Sequence, residues 1–212
     1  MRLISPLIRL PQFVCRFSQE SVWRVSTEKK RVYLTFDDGP IPEVTPWVLE
    51  ILKREKVEAC FFCVGDNVKK YPHVYQSIIN DGHMTGNHTF HHLHGLKTPT
   101  TMFYQDIMKA REIIHSELFR PPHGLMKLSQ HKLINQQFKI IMWDIVSCDY
   151  RNSLSPVKVT KNVLNNVRPG SIITFHDSVK SWKNLSETLP QVINKLKEKG
   201  YEFGSLKEIS YG

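Results

Sequence analysis

The feature that most constrains the fold is a regular alternation of short β-rich runs with amphipathic helical patterns. Clear β-rich runs cover residues 31–36, 60–64, 138–143 and 171–175. Helix signals lie between them, for example at Thr45-Pro46, where a threonine N-cap and a proline in the first turn favour a helix start. Such alternation is typical of βαβ units around a parallel sheet. It predicts an α/β fold that forms an incomplete (β/α) barrel.

The composition is that of one globular domain. The chain has 212 residues, of which 41% are hydrophobic and 23% charged, and no Pro/Gly/Ser-rich linker divides it. We expect a single folded domain over residues 30–212, preceded by an N-terminal segment over residues 1–29. The formal charge of +9 favours either anionic partners or simple solubility. Because the basic residues are dispersed and no nucleic-acid-binding motif is present, no nucleic-acid partner is predicted.

The first 17 residues place apolar side chains near helical spacing, with arginines between them. Pro6, Arg9 and Pro11 interrupt the apolar stretch, so it does not match a secretory signal, and no run in the chain is long enough to span a bilayer. The two prolines favour a segment packed under the barrel over an anchor on a membrane surface. We expect no transmembrane span and a cytoplasmic or membrane-peripheral location, with peripheral membrane contact left open.

Two of the four cysteines, Cys60 and Cys63, form a C-x-x-C pattern inside a predicted strand. Residues three apart on a strand point to opposite faces. The sequence therefore predicts two separately buried thiols and no redox pair.

Five polar clusters each follow directly after a proposed strand. They are Asp37-Asp38, residues 88–94, residues 120–124, Asp149 and His176. In α/β barrels the active site lies at the carboxyl ends of the strands. We therefore expect five separate segments to meet on one face and to form a catalytic site.

The second cluster indicates a metal, because four histidines fall within the seven residues 88–94. On a helical turn residues four apart share a face, so His88 and His92 could bind one ion together. Spacing alone leaves His88 with His91, or His91 with His94, as alternatives. Two histidines and one aspartate would leave open coordination positions, as catalytic sites require.

The other clusters suggest acid–base chemistry. Of the adjacent carboxylates Asp37 and Asp38, one can bind the cation while the other stays free as a base. Arg120 could clamp a carboxylate, and the N–H of His123, after two prolines that have none, could stabilise an oxyanion. His176 with a carboxylate behind it is a plausible general acid.

Together these clusters resemble the polysaccharide deacetylase family, which is carbohydrate esterase family four or the NodB-homology domain. The matching pieces appear in the family's order over roughly residues 30–208, and they are Thr35–Pro40, His88–His92, Arg120–Gly124, Asp149-Tyr150 and His176-Asp177. The resemblance implies a distorted (β/α) barrel. With the number of β-rich runs, we expect a distorted, incomplete barrel of seven or eight strands.

The resemblance also implies a role for each matching residue. Asp38, His88 and His92 would bind a divalent metal, most often zinc, with cobalt or nickel as alternatives. Asp37 would be the general base that activates the attacking water, and His176 the general acid that protonates the leaving amine.

Further residues would support these groups. Arg120 would position Asp37, and Asp149 would tune His176. The backbone N–H of His123 would stabilise the oxyanion, and Tyr150 would offer a stacking surface for a sugar ring.

The chain departs from the family pattern at two positions. The family more often has Tyr where this chain has His123, which can change the side-chain contact with sugar. The family usually has Leu where this chain has Thr174, at the wall of the pocket for the acetyl methyl group. Thr174 would make that wall smaller and more polar.

The function implied is metal-dependent removal of N-acetyl groups from amino-sugar polymers or oligosaccharides, either peptidoglycan or chitin-like. The alternatives are an O-acetyl esterase acting on xylan or another glycan, and an inactive glycan-binding module. The intact set of proposed metal and acid–base residues argues against the inactive module.

Overall fold

The structure is a computed structural model that describes residues 20–210. Its strands are β1 Arg31–Asp37, β2 Ala59–Cys63, β3 Met84–Asn87, β4 Leu118–Phe119, β5 Lys139–Ile140, β6 Ile145–Val146, β7 Ile172–His176 and β8 Glu202–Phe203. Its α-helices are α1 Thr45–Glu55, α2 Gly65–Lys70, α3 Pro72–Asn80, α4 Thr100–Arg111, α5 Leu128–Ile134, α6 Pro156–Leu164, α7 Trp182–Glu198 and α8 Lys207–Ser210.

The strands form one parallel sheet that curls into an open barrel. Its order is β5-β4-β3-β2-β1-β7-β6, and β8 pairs with the start of β1. Central β1 places Phe36 level with Phe61 on one side and Phe175 on the other. The predicted incomplete (β/α) barrel is confirmed. Because every strand runs the same way, all carboxyl ends lie at one edge of the sheet.

Side-chain alternation along β1 separates two layers of the core. Val32, Leu34 and Phe36 pack outward in a cluster with residues of α1 and α7, whereas Tyr33 packs in an inner cluster. Cys60 lies in the inner cluster and Cys63 in the outer one, and both thiols are free and buried. The prediction that the two thiols diverge is confirmed.

The predicted strand over residues 138–143 is wrong in extent, since β5 ends at Ile140. The cause is a buried arginine. Arg120 Nε donates to the carbonyl oxygen of Ile141 at 3.1 Å, and its Nη2 donates to that of Met142 at 2.8 Å. These carbonyl oxygens therefore bind a side chain that follows another strand, where a longer β5 would use them for sheet pairing.

Thr45 also differs from its predicted role as N-cap, because it is the first residue of α1 and caps nothing. Its hydroxyl donates to Asp177 Oδ2 at 2.6 Å and accepts from the N–H of Ile41 at 2.9 Å. Thr45 thus connects α1 to the chain that follows β7.

The residues just before β1 contact two other segments of the barrel, one directly after β5 and one just before β7. Val22 forms an isolated bridge with Ile141, and the N–H of Val25 donates to the carbonyl oxygen of Gly170, just before β7, at 2.9 Å. The amphipathic pattern predicted over residues 1–17 lies outside the described residues. Among residues 20–210, none of the helices has the length and apolar character needed to cross a membrane.

Candidate active site

The carboxyl edge of the sheet gathers the polar side chains expected there. Asp37 ends β1 and is in register with His176, which ends β7. His88 and Arg120 directly follow β3 and β4, and Asp149 follows β6. A cavity of about 610 Å³ opens at this edge. Among its lining residues are Asp37, Asp38, His88, His92, His123, Tyr150 and His176.

Three of these side chains could hold a metal ion. Asp38 Oδ1 lies 3.1 Å from His92 Nε2 and 3.7 Å from His88 Nε2. One ligand atom from each residue lies within 4.8 Å of the other two. Two imidazoles and a carboxylate suit a divalent cation and leave coordination positions open. The structure thus brings together the predicted triad.

Hydrogen bonds and charges prepare these ligands. His88 Nδ1 lies 2.8 Å from the carbonyl oxygen of Arg120 and donates to it, which leaves the Nε2 lone pair for the metal. Burial lowers the pKa of His88 to about 4, so its imidazole is neutral at neutral pH, as a ligand must be. Burial by itself would raise the pKa of Asp38. Its hydrogen bond to His92 and, next in size, the positive charge of His176 instead hold the pKa of Asp38 well below the ordinary value.

His88 and His92 were paired on the expectation of a helical turn, on which residues four apart share a face. That expectation is wrong, because residues 88–92 are not helical. Thr89 and His92 adopt φ angles of +63° and +54°, and these two turns fold the loop back on itself. His91 leaves the site, since its Nδ1 bonds to the Asp106 carboxylate. The tertiary structure therefore places His88 and His92, and not His91, beside Asp38, which the spacing in the sequence alone could not decide.

Asp37 is a carboxylate outside the triad, and Arg120 holds it in place. Arg120 Nη1 donates to Asp37 Oδ1 at 2.6 Å and to Thr35 Oγ1 at 2.8 Å, and the guanidinium carbon lies 4.0 Å from the Phe62 ring centre. Arg120 is fully buried and Asp37 nearly so. The second Asp37 oxygen, Oδ2, has no bond to the guanidinium. Asp37 is therefore fixed in orientation and still available as a base.

His176 has a buried carboxylate behind it. Asp149 Oδ1 lies 2.7 Å from His176 Nδ1, and Asp149 Oδ2 accepts the backbone N–H of His176 at 2.8 Å. Burial alone would lower the pKa of His176, but the charge and hydrogen bond of Asp149, with smaller contributions from Asp38 and Asp37, raise it to about 9. His176 therefore holds a proton at neutral pH, with Nε2 as the remaining donor.

Of the residues expected at the substrate, two lie at the cavity and one does not. His123 has φ +60°, and its ring lies 4.8 Å from that of His92. The Tyr150 ring meets that of His176 edge-on at 4.9 Å. Thr174 is only 1% exposed, and its hydroxyl bonds to Thr35 Oγ1 at 3.1 Å. Thr174 thus belongs to the buried network beneath Asp37, and its expected position at the wall of the methyl pocket stays a prediction.

Non-glycine residues with positive φ concentrate at this site. They are Asp38, Thr89, His92, His123 and Cys148, with φ between +54° and +81°. Such conformations are uncommon for these residues, and for Thr in particular they are outliers. Strain of this kind costs on the order of 1–3 kcal/mol per residue and persists where function requires it. The backbone is therefore shaped for the site at a cost in stability.

Several cavity residues were missed by the sequence reasoning. They are Leu125, Trp143, Val146, Cys148, Arg151 and Lys180. Arg151 and Lys180 stand shortly after Asp149 and His176, so a wider search after each strand end would have found them. Leu125 and Trp143 carried no comparable signal, because apolar residues are usual in any core.

Fold and site together define a hydrolase of the α/β-barrel type with a place for one divalent cation. A family model for polysaccharide deacetylases matches residues 24–137. A peptidoglycan-N-acetylglucosamine deacetylase of Bacillus cereus is 37% identical over 189 residues, which cover 85% of this chain and 68% of that relative. This chain belongs to the polysaccharide deacetylase family, carbohydrate esterase family four.

Solved structures extend the comparison. The crystal structure of the Bc1960 peptidoglycan N-acetylglucosamine deacetylase matches with a TM-score of 0.85 at 34% identity, covering 89% of this chain and 92% of that one. BA3943 from Bacillus anthracis, a pseudoenzyme of the same family, matches with a TM-score of 0.80 at 28% identity, covering 89% of this chain and 68% of that one. Since this fold also occurs in an inactive protein, the case for activity depends on the site residues.

Proposed function

We propose that this chain is a metal-dependent deacetylase that removes N-acetyl groups from amino-sugar glycans of the peptidoglycan type. One observation carries the proposal: a carboxylate outside the metal triad, Asp37, and the imidazole of His176, whose Nδ1 bonds to Asp149, line the same cavity as the triad. Hydrolysis of an amide needs a base for the attacking water and an acid for the leaving amine. This cavity offers both groups.

The metal would be held by Asp38, His88 and His92. Zinc is the proposed ion, with cobalt and nickel as alternatives, because imidazole and carboxylate ligands with open positions suit catalytic zinc. When bound, the cation supplies Lewis acidity toward the acetamide carbonyl and the attacking water.

The chain's own residues would move the protons. Asp37, oriented by Arg120, takes a proton from the attacking water while the water oxygen forms a bond to the acetyl carbon. The backbone N–H of His123 stabilises the negative charge that develops on the acetyl oxygen. His176 gives its proton to the sugar nitrogen as the carbon–nitrogen bond breaks. The products are acetate and a free amino sugar.

Peptidoglycan is the proposed substrate because relatives with the same fold and family membership carry that activity in their names. Chitin-like oligomers and O-acetylated xylan remain the competing substrates. The inactive-module alternative is disfavoured by the complete set of metal and acid–base residues in one cavity.

The test is the Asp37→Asn variant, assayed with bound metal measured by mass spectrometry. We expect turnover to fall by roughly a hundredfold or more with metal content unchanged, because Asp37 is the base and not a ligand. Asp81→Asn, which removes a carboxylate just beyond α3, is the matched control and should keep full activity. Wild-type turnover by Asp37→Asn would remove Asp37 from the mechanism.

A substrate panel separates amide from ester hydrolysis. Metal-loaded wild-type protein is assayed on peptidoglycan, N-acetylglucosamine oligomers and acetyl-xylan. Release of acetate from the first two with formation of free amines supports deacetylation. Release from acetyl-xylan alone would replace the proposal with the esterase alternative.

A further inference from the structure

Two basic side chains lie on the wall of the cavity that also carries the proposed acid. Arg151 follows Tyr150 in the loop after β6, and Lys180 lies in the loop after β7. Lys180 Nζ is 5.6 Å from the centre of the Tyr150 ring, which itself contacts His176. Burial raises the pKa of the Tyr150 phenol and the charge of Arg151 opposes that rise, which is consistent with a guanidinium beside the same wall.

Hydrogen bonds hold the backbone at Arg151, whereas its guanidinium forms no ion pair with an acidic group among the described residues. Asn184 on α7 donates to the carbonyl oxygens of Asp149 at 2.8 Å and Arg151 at 3.1 Å. Between residues 20 and 210, no ion pair involves either Arg151 or Lys180. Many other surface cations are paired, for example Arg54 with Glu55 at 3.2 Å.

The acidic groups of the cavity do not neutralise this wall either. Asp37 is bonded to Arg120, and Asp38 faces His88 and His92. Two cations at the edge of a partly enclosed site, neither of which forms an ion pair within residues 20–210, attract an anion carried by the substrate.

We propose that Arg151 and Lys180 bind a carboxylate of the glycan that lies next to the acetamido sugar undergoing deacetylation. This inference rests on the proposed function and deepens it, since it selects anionic amino-sugar glycans over neutral ones. Free carboxylates, on stem peptides and on muramic residues that carry no peptide, give peptidoglycan this character, whereas chitin-like oligomers lack it. Arg151 and Lys180 are then specificity-determining residues.

The experiment compares two substrates that differ only in charge. Metal-loaded full-length protein is assayed on peptidoglycan oligomers and on the same oligomers with their carboxyl groups reduced to alcohols. We expect kcat/KM to be about tenfold higher on the carboxylate form, because charge-assisted hydrogen bonds are among the stronger ones. We also expect this preference to shrink as salt is added.

Variants then assign the preference to the two residues. Arg151→Gln/Lys180→Gln should bring the ratio between the two substrates close to one, whereas the charge-retaining Arg151→Lys/Lys180→Arg should keep most of it. Arg54→Gln/Lys195→Gln removes the same charge from exposed positions on α1 and α7 and should retain the wild-type ratio.

Calorimetric binding of both oligomers gives a second measurement that does not require turnover. Equal ratios in wild type and in Arg151→Gln/Lys180→Gln, by either measurement, would overturn the inference. A wild type that discriminates in binding but hydrolyses neither oligomer would overturn the proposed function and leave anion recognition supported.

Discussion

Replacement of Asp149 by Asn should move the alkaline limit of activity to lower pH. Asp149 is fully buried and uses both oxygens on His176, one on the ring Nδ1 at 2.7 Å and one on the backbone N–H at 2.8 Å. Asn keeps the shape and one acceptor but removes the negative charge. Without that charge, much less offsets the effect of burial, so the pKa of His176 falls.

The size of the effect follows from the pKa of His176, which the surroundings raise from 6.5 to about 9. A rise of that size represents on the order of 3 kcal/mol in favour of the protonated ring. In the wild type nearly all molecules hold the proton at pH 7.5. If the variant returns only to the ordinary value of 6.5, about a tenth of the molecules hold it at pH 7.5, and burial reduces this fraction further.

The sign of the effect follows from the proposed role of His176 as the acid. Activity requires the protonated ring, so it is lost as pH rises through the pKa of His176 in the folded enzyme. A bound cation lowers that pKa in both proteins, and the prediction therefore concerns the difference between them. We expect the alkaline limb of kcat/KM to fall about two pH units earlier in Asp149→Asn, with activity at pH 7.5 reduced at least about tenfold.

The assay measures acetate release from peptidoglycan between about pH 5.5 and pH 10, in steps of about half a pH unit, which resolve a limb of this kind. Metal content and melting temperature are measured in parallel. An NMR titration of the His176 ring nitrogens in metal-free protein reports the pKa directly. A variant with wild-type metal content and an unmoved alkaline limb would refute the assignment of His176 as the acid that Asp149 tunes.

Two further predictions concern the support beneath the site. Arg120→Lys should lower the free energy of unfolding by about 3 kcal/mol or more and remove activity. The reason is that a lysine ammonium cannot reproduce the planar guanidinium that binds Asp37 and two carbonyl oxygens. Urea unfolding of the variant near the wild-type midpoint would contradict this. Gly39→Ala should weaken metal binding and lower the melting temperature, since its new Cβ would lie 2.0 Å from Asp177 Oδ2. Gly82→Ala, which meets nothing within 4 Å, is the control and should cost only about 1 kcal/mol from its positive φ without loss of metal affinity by calorimetry.

The cavity contains two histidines whose surroundings impose opposite protonation states. His88 is enclosed and bonds to a neutral carbonyl, so burial dominates and lowers its pKa to about 4. His176 is also enclosed but faces the Asp149 carboxylate, so its pKa rises to about 9. A pair of titratable groups whose pKa values are driven apart in this way suits the two proposed roles, metal ligand for His88 and acid for His176.

The sequence by itself determined the architecture and the location of the site at the carboxyl ends of the strands. Alternation of β-rich and amphipathic runs depends on local periodicity, and it was enough to predict a parallel, incomplete barrel. A parallel barrel brings all strand ends to one edge, so the polar clusters after the strands had to meet. The separation of Cys60 from Cys63 followed from the same two-residue period of a strand.

Only the tertiary structure decided how those residues face one another. The turn that joins His88 to His92, the early end of β5 and the buried position of Thr174 each depend on partners distant in sequence, such as Arg120 and Thr35. The absence of an acidic partner for Arg151 and Lys180 in the described chain could likewise not be read from spacing. Propensity and period describe a residue's near neighbours, whereas hydrogen bonds and charges act across the fold between segments that only the packed sheet brings together.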